Sequence, residues 1–135
     1  IWMLVLFVIY LRMINTYTIY CLIDPRTNEP YYVVTSWNKY TLANRLARHV
    51  SHANSDKHVR YKYDNITSRR HEIVYQLQEQ NKQPIIKALF VTTAENVDNT
   101  EGSAYYYLID LGFTLIQDKY RFCYTKKFKH GTNRR

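Results

Sequence analysis

Residues 18–52 decide the fold of this chain, and they read TIYCLIDPRTNEPYYVVTSWNKYTLANRLARHVSH. Apolar and polar side chains alternate over 16–24, which is the pattern of a β-strand and points Tyr20 away from the more apolar face. Turn residues fill 24–30, and 31–35 is rich in the aromatic and β-branched residues that favour a returning strand. The stretch therefore begins with a predicted β-hairpin.

Residues 39–54 change to the spacing of a helix. The apolar stripe of this helix consists of Leu42, Leu46, Val50 and Ala53. Arg45, His49 and His52 follow one another at i, i+4 and i+7, so they form a second, basic stripe beside the first. Such a stripe is often only solvated, but this one borders the buried face and could reach the sheet.

The next part of the chain predicts a loop, a helix and a strand. We expect the loop over 51–65, the helix over 66–82, and over 84–93 a strand that is apolar enough to be central in its sheet. The helix is expected to bury Ile66, Ile73, Val74 and Leu77. On its outer side it is expected to expose Arg69, Arg70 and Lys82.

A last helix is predicted over 101–111, with Thr100 as its N-cap and Gly112 as its C-terminal stop. Its inner stripe would consist of Glu101, Ala104, Leu108 and Leu111. One or two short strands could follow over 113–124. The order β-β-α-α-β-α predicts an α+β fold, with a small, mainly antiparallel three-stranded sheet flanked by helices.

Both ends of the chain stand apart from this domain, which we expect to span 13–124. Residues 1–12 are apolar up to Arg12, but a spanning helix needs about 20 apolar residues and a secretory signal begins with basic ones. We expect a fragment or an upstream in-frame extension, with Met13 as the true start; the tail of a truncated membrane anchor is the alternative. Residues 125–135 form a basic tail.

Composition favours a polyanionic partner. The chain has 135 residues, a net charge of +8 and 14 tyrosines. Lys and Arg neutralise phosphates and Tyr rings stack on bases, so we expect DNA or RNA as the partner; a basic surface that only aids solubility is the alternative. Cys21 and Cys123 form neither a disulfide framework nor a zinc cluster, which indicates reduced thiols in a cytoplasmic protein. We expect no small-molecule cofactor, because no Gly-rich phosphate loop is visible.

Over about residues 16–115 these features resemble the GIY-YIG nuclease superfamily in their order. The resemblance rests on Thr18-Ile19-Tyr20, Tyr32-Val33-Val34, Arg45-x-x-x-His49, Gln83-Pro84-Ile85-Ile86 and the closing helix. It implies a metal-dependent endonuclease that hydrolyses the phosphodiester bonds of DNA. A separate targeting domain or partner protein could then supply specificity, and we expect no membrane partner.

The resemblance also implies a role for each residue. Tyr20 would help to take the proton from the attacking water, and Tyr32 would shape the pocket and hydrogen-bond the water or the phosphate. Arg45 would hold the scissile phosphate, and His49 would relay a proton near neutral pH. Apart from the resemblance, basic residues interleave with Tyr61 and Tyr63 in the loop over 51–65, which suits contact with a nucleic acid; a solvated loop is the alternative. The expected nucleic-acid contacts are His52, His58, Arg60, Lys62, Arg69 and Arg70.

Two departures from the family pattern leave alternatives open. The metal-binding glutamate of the family aligns with Ala104, so Glu101, one turn earlier, is the expected ligand of one Mg²⁺ or Mn²⁺. Thr18 and Val34 occupy positions where the family has glycine. If the metal site is lost, the resemblance implies a catalytically degenerate nucleic-acid-binding domain. A structural or interaction protein tethered by its apolar N-terminus is a third hypothesis.

Overall fold

The fold is taken from a computed structural model, which describes residues 1–55 and 65–117. The side chains of 11–14, 65 and 66 are also outside this description. The expected nucleic-acid contacts at His58, Arg60 and Lys62 and the basic tail over 125–135 therefore lie outside the described residues.

The described residues form an α+β fold with one antiparallel three-stranded sheet in the order β2-β1-β3. Its elements are α1 (Trp2–Ile14), β1 (Thr16–Asp24), β2 (Glu29–Trp37), α2 (Leu42–Ser55), α3 (Asn65–Glu79), β3 (Ile85–Thr93) and α4 (Val97–Asp110). The predicted fold class is confirmed. The expected loop over 51–65 is wrong at its start, because α2 continues to Ser55.

The central strand is β1, which pairs antiparallel with β2 on one side and with β3 on the other. Helices cover both of its faces, so residues 18–22 are buried throughout and Tyr20 is 0% exposed. Within the described residues the prediction of a central strand over 84–93 is wrong, since β3 is an edge strand there and Val91 is 66% exposed. An apolar run indicates a strand, but it does not reveal how many neighbours the strand will have.

Two hydrophobic layers lie on opposite faces of the sheet, because successive strand side chains point to opposite sides. One layer packs Ile19, Cys21 and Val33 against the buried stripe of α4. The other packs the face of Tyr20 and Tyr32 against apolar side chains of α2 and α3, among them Leu42, Leu46 and Ile73. Tyr20 therefore faces a second core and not an outer surface, because α2 and α3 cover its face.

The helix ends follow local capping chemistry. Thr41 caps α2, since its Oγ1 accepts a hydrogen bond from the backbone N–H of Asn44 at 3.1 Å. The expected N-cap Thr100 lies inside α4, which begins four residues before the predicted start and has Asn96 as its N-cap. Gly112 (φ 95°) ends this helix as predicted. The hydrogen bonds from Gly112 N to Ile109 O and from Phe113 N to Leu108 O form a Schellman motif.

Two further predictions about the helices are wrong. Leu111 was expected in the inner stripe of the last helix, but it lies at the C-cap and is 58% exposed. The helix predicted over 66–82 ends at Glu79, because the chain turns at Asn81 with a positive φ of 56°. Asparagine tolerates this left-handed conformation better than most residues.

Residues 113–117 follow β2 without forming a strand in the described part of the chain. The backbone N–H of Ile116 donates to Tyr31 O at 2.9 Å. The buried side chain of Gln117 then takes the place of a strand backbone: its Oε1 accepts from Val33 N at 3.1 Å, and its Nε2 donates to Val33 O. These bonds pair Tyr31 O and both backbone groups of Val33 at the outer edge of β2.

The apolar helix α1 lies outside both layers. Its described side chains are exposed, from Val8 at 41% to Met3 at 84%. Neither α1 nor any other helix in the described ranges combines the length and the apolar character that crossing a membrane requires.

Candidate phosphate-binding site

A basic pocket of about 120 Å³ lies between α2 and α3. Arg45, Arg48, His49 and His52 line it from α2, and Arg70 lines it from α3. The four α2 residues occur at i, i+3, i+4 and i+7, which places them on one face of the helix. The basic stripe predicted for this helix is therefore one wall of a pocket.

His49 lies against both motif tyrosines. The Tyr20 hydroxyl and His49 Nε2 are 2.8 Å apart, in a hydrogen bond between β1 and α2. The His49 ring also stands edge-on to both tyrosine rings, with centroids 6.0 Å from Tyr20 and 6.4 Å from Tyr32. The structure thus brings together Tyr20, Tyr32, Arg45 and His49, the four residues expected to be catalytic.

The pairing register of β1 and β2 explains why Tyr20 and Tyr32 both lie beside His49. Tyr20 pairs with Val34, and Leu22 pairs with Tyr32, so both tyrosines point to the face that α2 covers. Asn38 ties the connection between β2 and α2 to the central strand. Thr18 Oγ1 donates to Asn38 Oδ1 at 2.5 Å, and Asn38 Nδ2 donates to Thr16 Oγ1 at 2.7 Å.

The two positions where the family has glycine hold ordinary strand residues. Among the described residues, the positive-φ positions are Asn28, Asn81 and Gly112. Thr18 and Val34 therefore need no left-handed backbone, and both side chains are buried. β-branched residues favour extended strands, so Thr18 and Val34 introduce no backbone strain at the site.

Arg70 faces the pocket, and the prediction that it points outward is wrong. Its Nη1 donates to the Tyr32 hydroxyl at 3.2 Å, and its guanidinium carbon lies 5.2 Å from the centre of the Tyr32 ring. Arg69, the residue before it, is exposed and donates to Ile116 O instead. Of these two neighbouring arginines, Arg70 lines the pocket, while Arg69 ties α3 to the segment beside β2.

Burial and positive charge keep His49 neutral. Burial, followed by the charges of Arg70 and Arg45, lowers the pKa of His49 from 6.5 to about 3. Burial raises the pKa of the Tyr20 phenol, and a hydrogen bond and charge from Arg45 offset part of this effect. Near neutral pH the Tyr20–His49 pair is therefore a phenol beside an uncharged imidazole.

Arg45 has a buried hydrogen-bond donor that the described residues leave unused. Its Nε has no hydrogen-bond partner among the residues that the structure describes. A buried donor of this kind is costly unless a ligand or water satisfies it. Arg45 also lines the pocket, so its guanidinium adds positive charge there.

Glu101 lies away from this pocket. It is 4% exposed and belongs to the stripe of α4 with Val97, Ala104 and Leu108. That stripe packs against the sheet face opposite to Tyr20. Within residues 1–55 and 65–117, no three His, Cys, Asp or Glu side chains are grouped as a metal site. The described residues at the pocket are cationic or neutral, and they do not fit a divalent cation.

Sequence reasoning missed Arg48 and His71. Arg48 follows Arg45 by three residues, a spacing that could have identified it, and it lines the pocket. His71 is 3% exposed on α3, and its ring lies 5.0 Å from that of His52. Nothing in the local sequence indicates this pairing, because it depends on how α2 and α3 pack.

Comparison with known proteins adds no assignment, since no family model, curated protein or solved structure matches this chain.

Proposed function

We propose that this chain is a nucleic-acid-binding domain that holds a backbone phosphate of DNA between α2 and α3 and hydrolyses the phosphodiester bond there. The proposal rests on the basic pocket, with three arginines and two histidines beside the Tyr20–His49 hydrogen bond. The resemblance to GIY-YIG nucleases supports the same function.

The size of the pocket favours a single phosphate group. Its volume of about 120 Å³ equals roughly four water molecules at ~30 Å³ each. Organic ligands and cofactors commonly occupy about 300–1,000 Å³. A phosphate fits this space with the rest of the nucleic acid outside, and the arginine forks supply paired donors for its oxygens.

The hydrolysis that we propose uses His49 as the base. Arg45, Arg48 and Arg70 hold the phosphate and stabilise the negative charge that grows as water attacks phosphorus. In this step the neutral imidazole carries its hydrogen on Nε2 and donates it to the Tyr20 oxygen, so the unprotonated Nδ1 takes the proton of that water. The bond to the leaving oxygen breaks, and solvent protonates that oxygen.

Tyr20 is then a positioning residue. It is fully buried and does not line the pocket, so it acts through His49 by fixing the ring. A bound phosphate would offset the charges of Arg70 and Arg45 that lower the pKa of His49. This effect acts on the charge contributions alone, since burial, the largest cause of the lowered pKa, remains.

A divalent metal stays a prediction from the resemblance, with Glu101 as its expected ligand. Mg²⁺ or Mn²⁺ would supply Lewis-acid stabilisation of the phosphate oxygens. The described residues at the pocket offer no carboxylate for such an ion. The proposed steps of hydrolysis therefore use arginine and histidine side chains alone.

Binding without cleavage is the second candidate. Two observations favour it: the complete burial of Tyr20 and the packing of the Glu101 helix against the opposite sheet face. In this case the pocket still binds a phosphate, but the chain does not hydrolyse the phosphodiester bond.

Plasmid nicking and DNA binding by the full chain test both candidates, with Mg²⁺, Mn²⁺ or EDTA. We expect nicking by the wild-type protein and its loss in His49→Gln, with DNA binding kept. Arg48→Gln should weaken binding and reduce the slope of log affinity against log salt by about 1. Lys87→Gln is the matched control, because Lys87 is an exposed cation on β3 away from the pocket lining.

The metal arms of this experiment separate the mechanisms. Nicking in EDTA supports the histidine mechanism, and nicking only with metal supports the expectation from the resemblance. Salt-sensitive binding without nicking supports the second candidate. If the wild-type protein shows neither nicking nor binding, or if Arg48→Gln and Lys87→Gln lose binding equally, the proposed pocket is wrong.

A further inference from the structure

The pocket carries more positive charge than an internal phosphate of a nucleic acid can balance. Arg45, Arg48 and Arg70 are cationic, and the lining residues that the structure describes include no carboxylate. An internal phosphodiester has one negative charge. A phosphomonoester, as found at the end of a strand, carries about 1.5 to 2 negative charges near pH 7.

The hydrogen-bond donors show the same excess. Each guanidinium has about five N–H donors, so the three lining arginines together carry more donors than one phosphate group can accept. A phosphodiester has two non-bridging oxygens to accept these donors. A phosphomonoester has three acceptor oxygens, each with a larger share of negative charge.

We infer that the pocket selects a doubly charged phosphate, the phosphomonoester at the end of a nucleic-acid strand, over the singly charged internal phosphodiester. The inference rests on the proposed function, because it uses the same pocket. Hydrolysis of a phosphodiester creates such an end, so the product binds more tightly than the substrate and its release limits turnover.

Fluorescence anisotropy of the full chain with short single-stranded oligonucleotides tests this selection, with EDTA present in one arm. One sequence is prepared with a 5′-phosphate, with a 3′-phosphate and with hydroxyls at both ends. An oligonucleotide one residue longer, with hydroxyl ends, controls for added charge. We expect one phosphorylated end to bind about ten- to a hundred-fold more tightly than the hydroxyl forms.

Arg48 is the residue to vary, because its side chain is exposed and the change should leave the fold intact. Arg48→Gln should remove most of the gain that the terminal phosphate provides. Lys87→Gln should keep this gain, although it lowers the charge of the chain by the same amount. Inorganic phosphate is added as a competitor to compare free phosphate with a strand end.

Each outcome bears on one claim. Equal affinity for phosphorylated and hydroxyl ends, with salt-sensitive binding intact, overturns the inference and leaves the proposed function standing. If inorganic phosphate binds but a phosphorylated end does not tighten oligonucleotide binding, the claim that the pocket selects a strand end is overturned. Absence of binding to every oligonucleotide overturns the proposed function itself. If Lys87→Gln and Arg48→Gln lose the tighter binding of phosphorylated ends equally, the claim that this preference arises in the pocket is overturned.

Discussion

His49 is the residue on which the proposed chemistry of the pocket depends. It is the point where β1 meets α2, through the hydrogen bond to Tyr20, and it also lines the pocket. Burial and two nearby arginines keep it uncharged. A solvated histidine on a helix face would have neither property, although its sequence spacing would be the same.

The lowered pKa of His49 predicts that acid weakens the fold. Between its ordinary pKa of 6.5 and its folded value of about 3, the unfolded chain binds a proton that the folded chain does not. Stability is therefore lost as the pH is lowered through this range, by up to ~1.4 kcal/mol per pH unit. Urea unfolding at about pH 7 and about pH 5 measures this loss.

The variant His49→Gln isolates this contribution. It should lose less stability than the wild-type protein over the same pH interval, since glutamine does not titrate. Asp24, whose pKa is lowered mainly by its hydrogen bond to Arg26, is present in both proteins and cancels in the comparison. An equal loss in the two proteins would show that His49 is not held neutral in the folded state.

At the scale of elements, the hairpin and α2 together form the site. Register puts Tyr20 and Tyr32 on one sheet face, and the apolar stripe of α2 holds the basic stripe beside it. α3 contributes Arg70, whose guanidinium lies over the Tyr32 ring. The pocket therefore requires that the hairpin, α2 and α3 pack together. It also requires that β2, the outer strand of the hairpin, keeps its position.

Gln117 is expected to hold β2 in place. The change Gln117→Leu removes the two hydrogen bonds to the Val33 backbone and leaves a buried N–H and C=O without their partner. Leaving such groups unsatisfied costs about 1–3 kcal/mol each, so we expect a loss of about 2–6 kcal/mol in the free energy of unfolding. Urea denaturation followed by circular dichroism measures this loss.

An exposed glutamine supplies the control for this change. Gln80 lies just after α3 on the surface, and Gln80→Leu should change stability by less than about 0.5 kcal/mol. Similar losses in the two variants would mean that the amide of Gln117 contributes little to the β2 edge.

At the scale of the whole molecule, α1 stands out among the described elements because its side chains pack so little against the rest. Its large apolar side chains are exposed, including Trp2 at 79% and Phe7 at 57%. Exposed apolar patches of this kind promote association between molecules. We therefore expect removal of residues 1–12 to change the free energy of unfolding by less than about 1 kcal/mol and to reduce light scattering at high concentration.

This deletion is checked by urea unfolding and light scattering of the two proteins side by side. A loss of several kcal/mol would show that α1 packs on the sheet more closely than its exposure indicates. Unchanged scattering would show that its apolar surface does not mediate association.

Local pattern was enough to predict part of the candidate site. Alternation predicted the strand that carries Tyr20, and helical spacing predicted the stripe with Arg45 and His49. The stop at Gly112 also follows from local chemistry, because a positive φ there suits glycine. The assignment of these residues to a nuclease comes from the resemblance and stays a prediction.

The sequence by itself determined the α+β class, the hairpin and the basic stripe of α2, because each depends on periodicity within a short segment. Only the tertiary structure decided that β1 is central, that Arg70 enters the pocket and that the Glu101 helix packs on the far sheet face. These features depend on which strands pair and on which face each helix covers. Residues distant in the chain decide both, through contacts that no local pattern records.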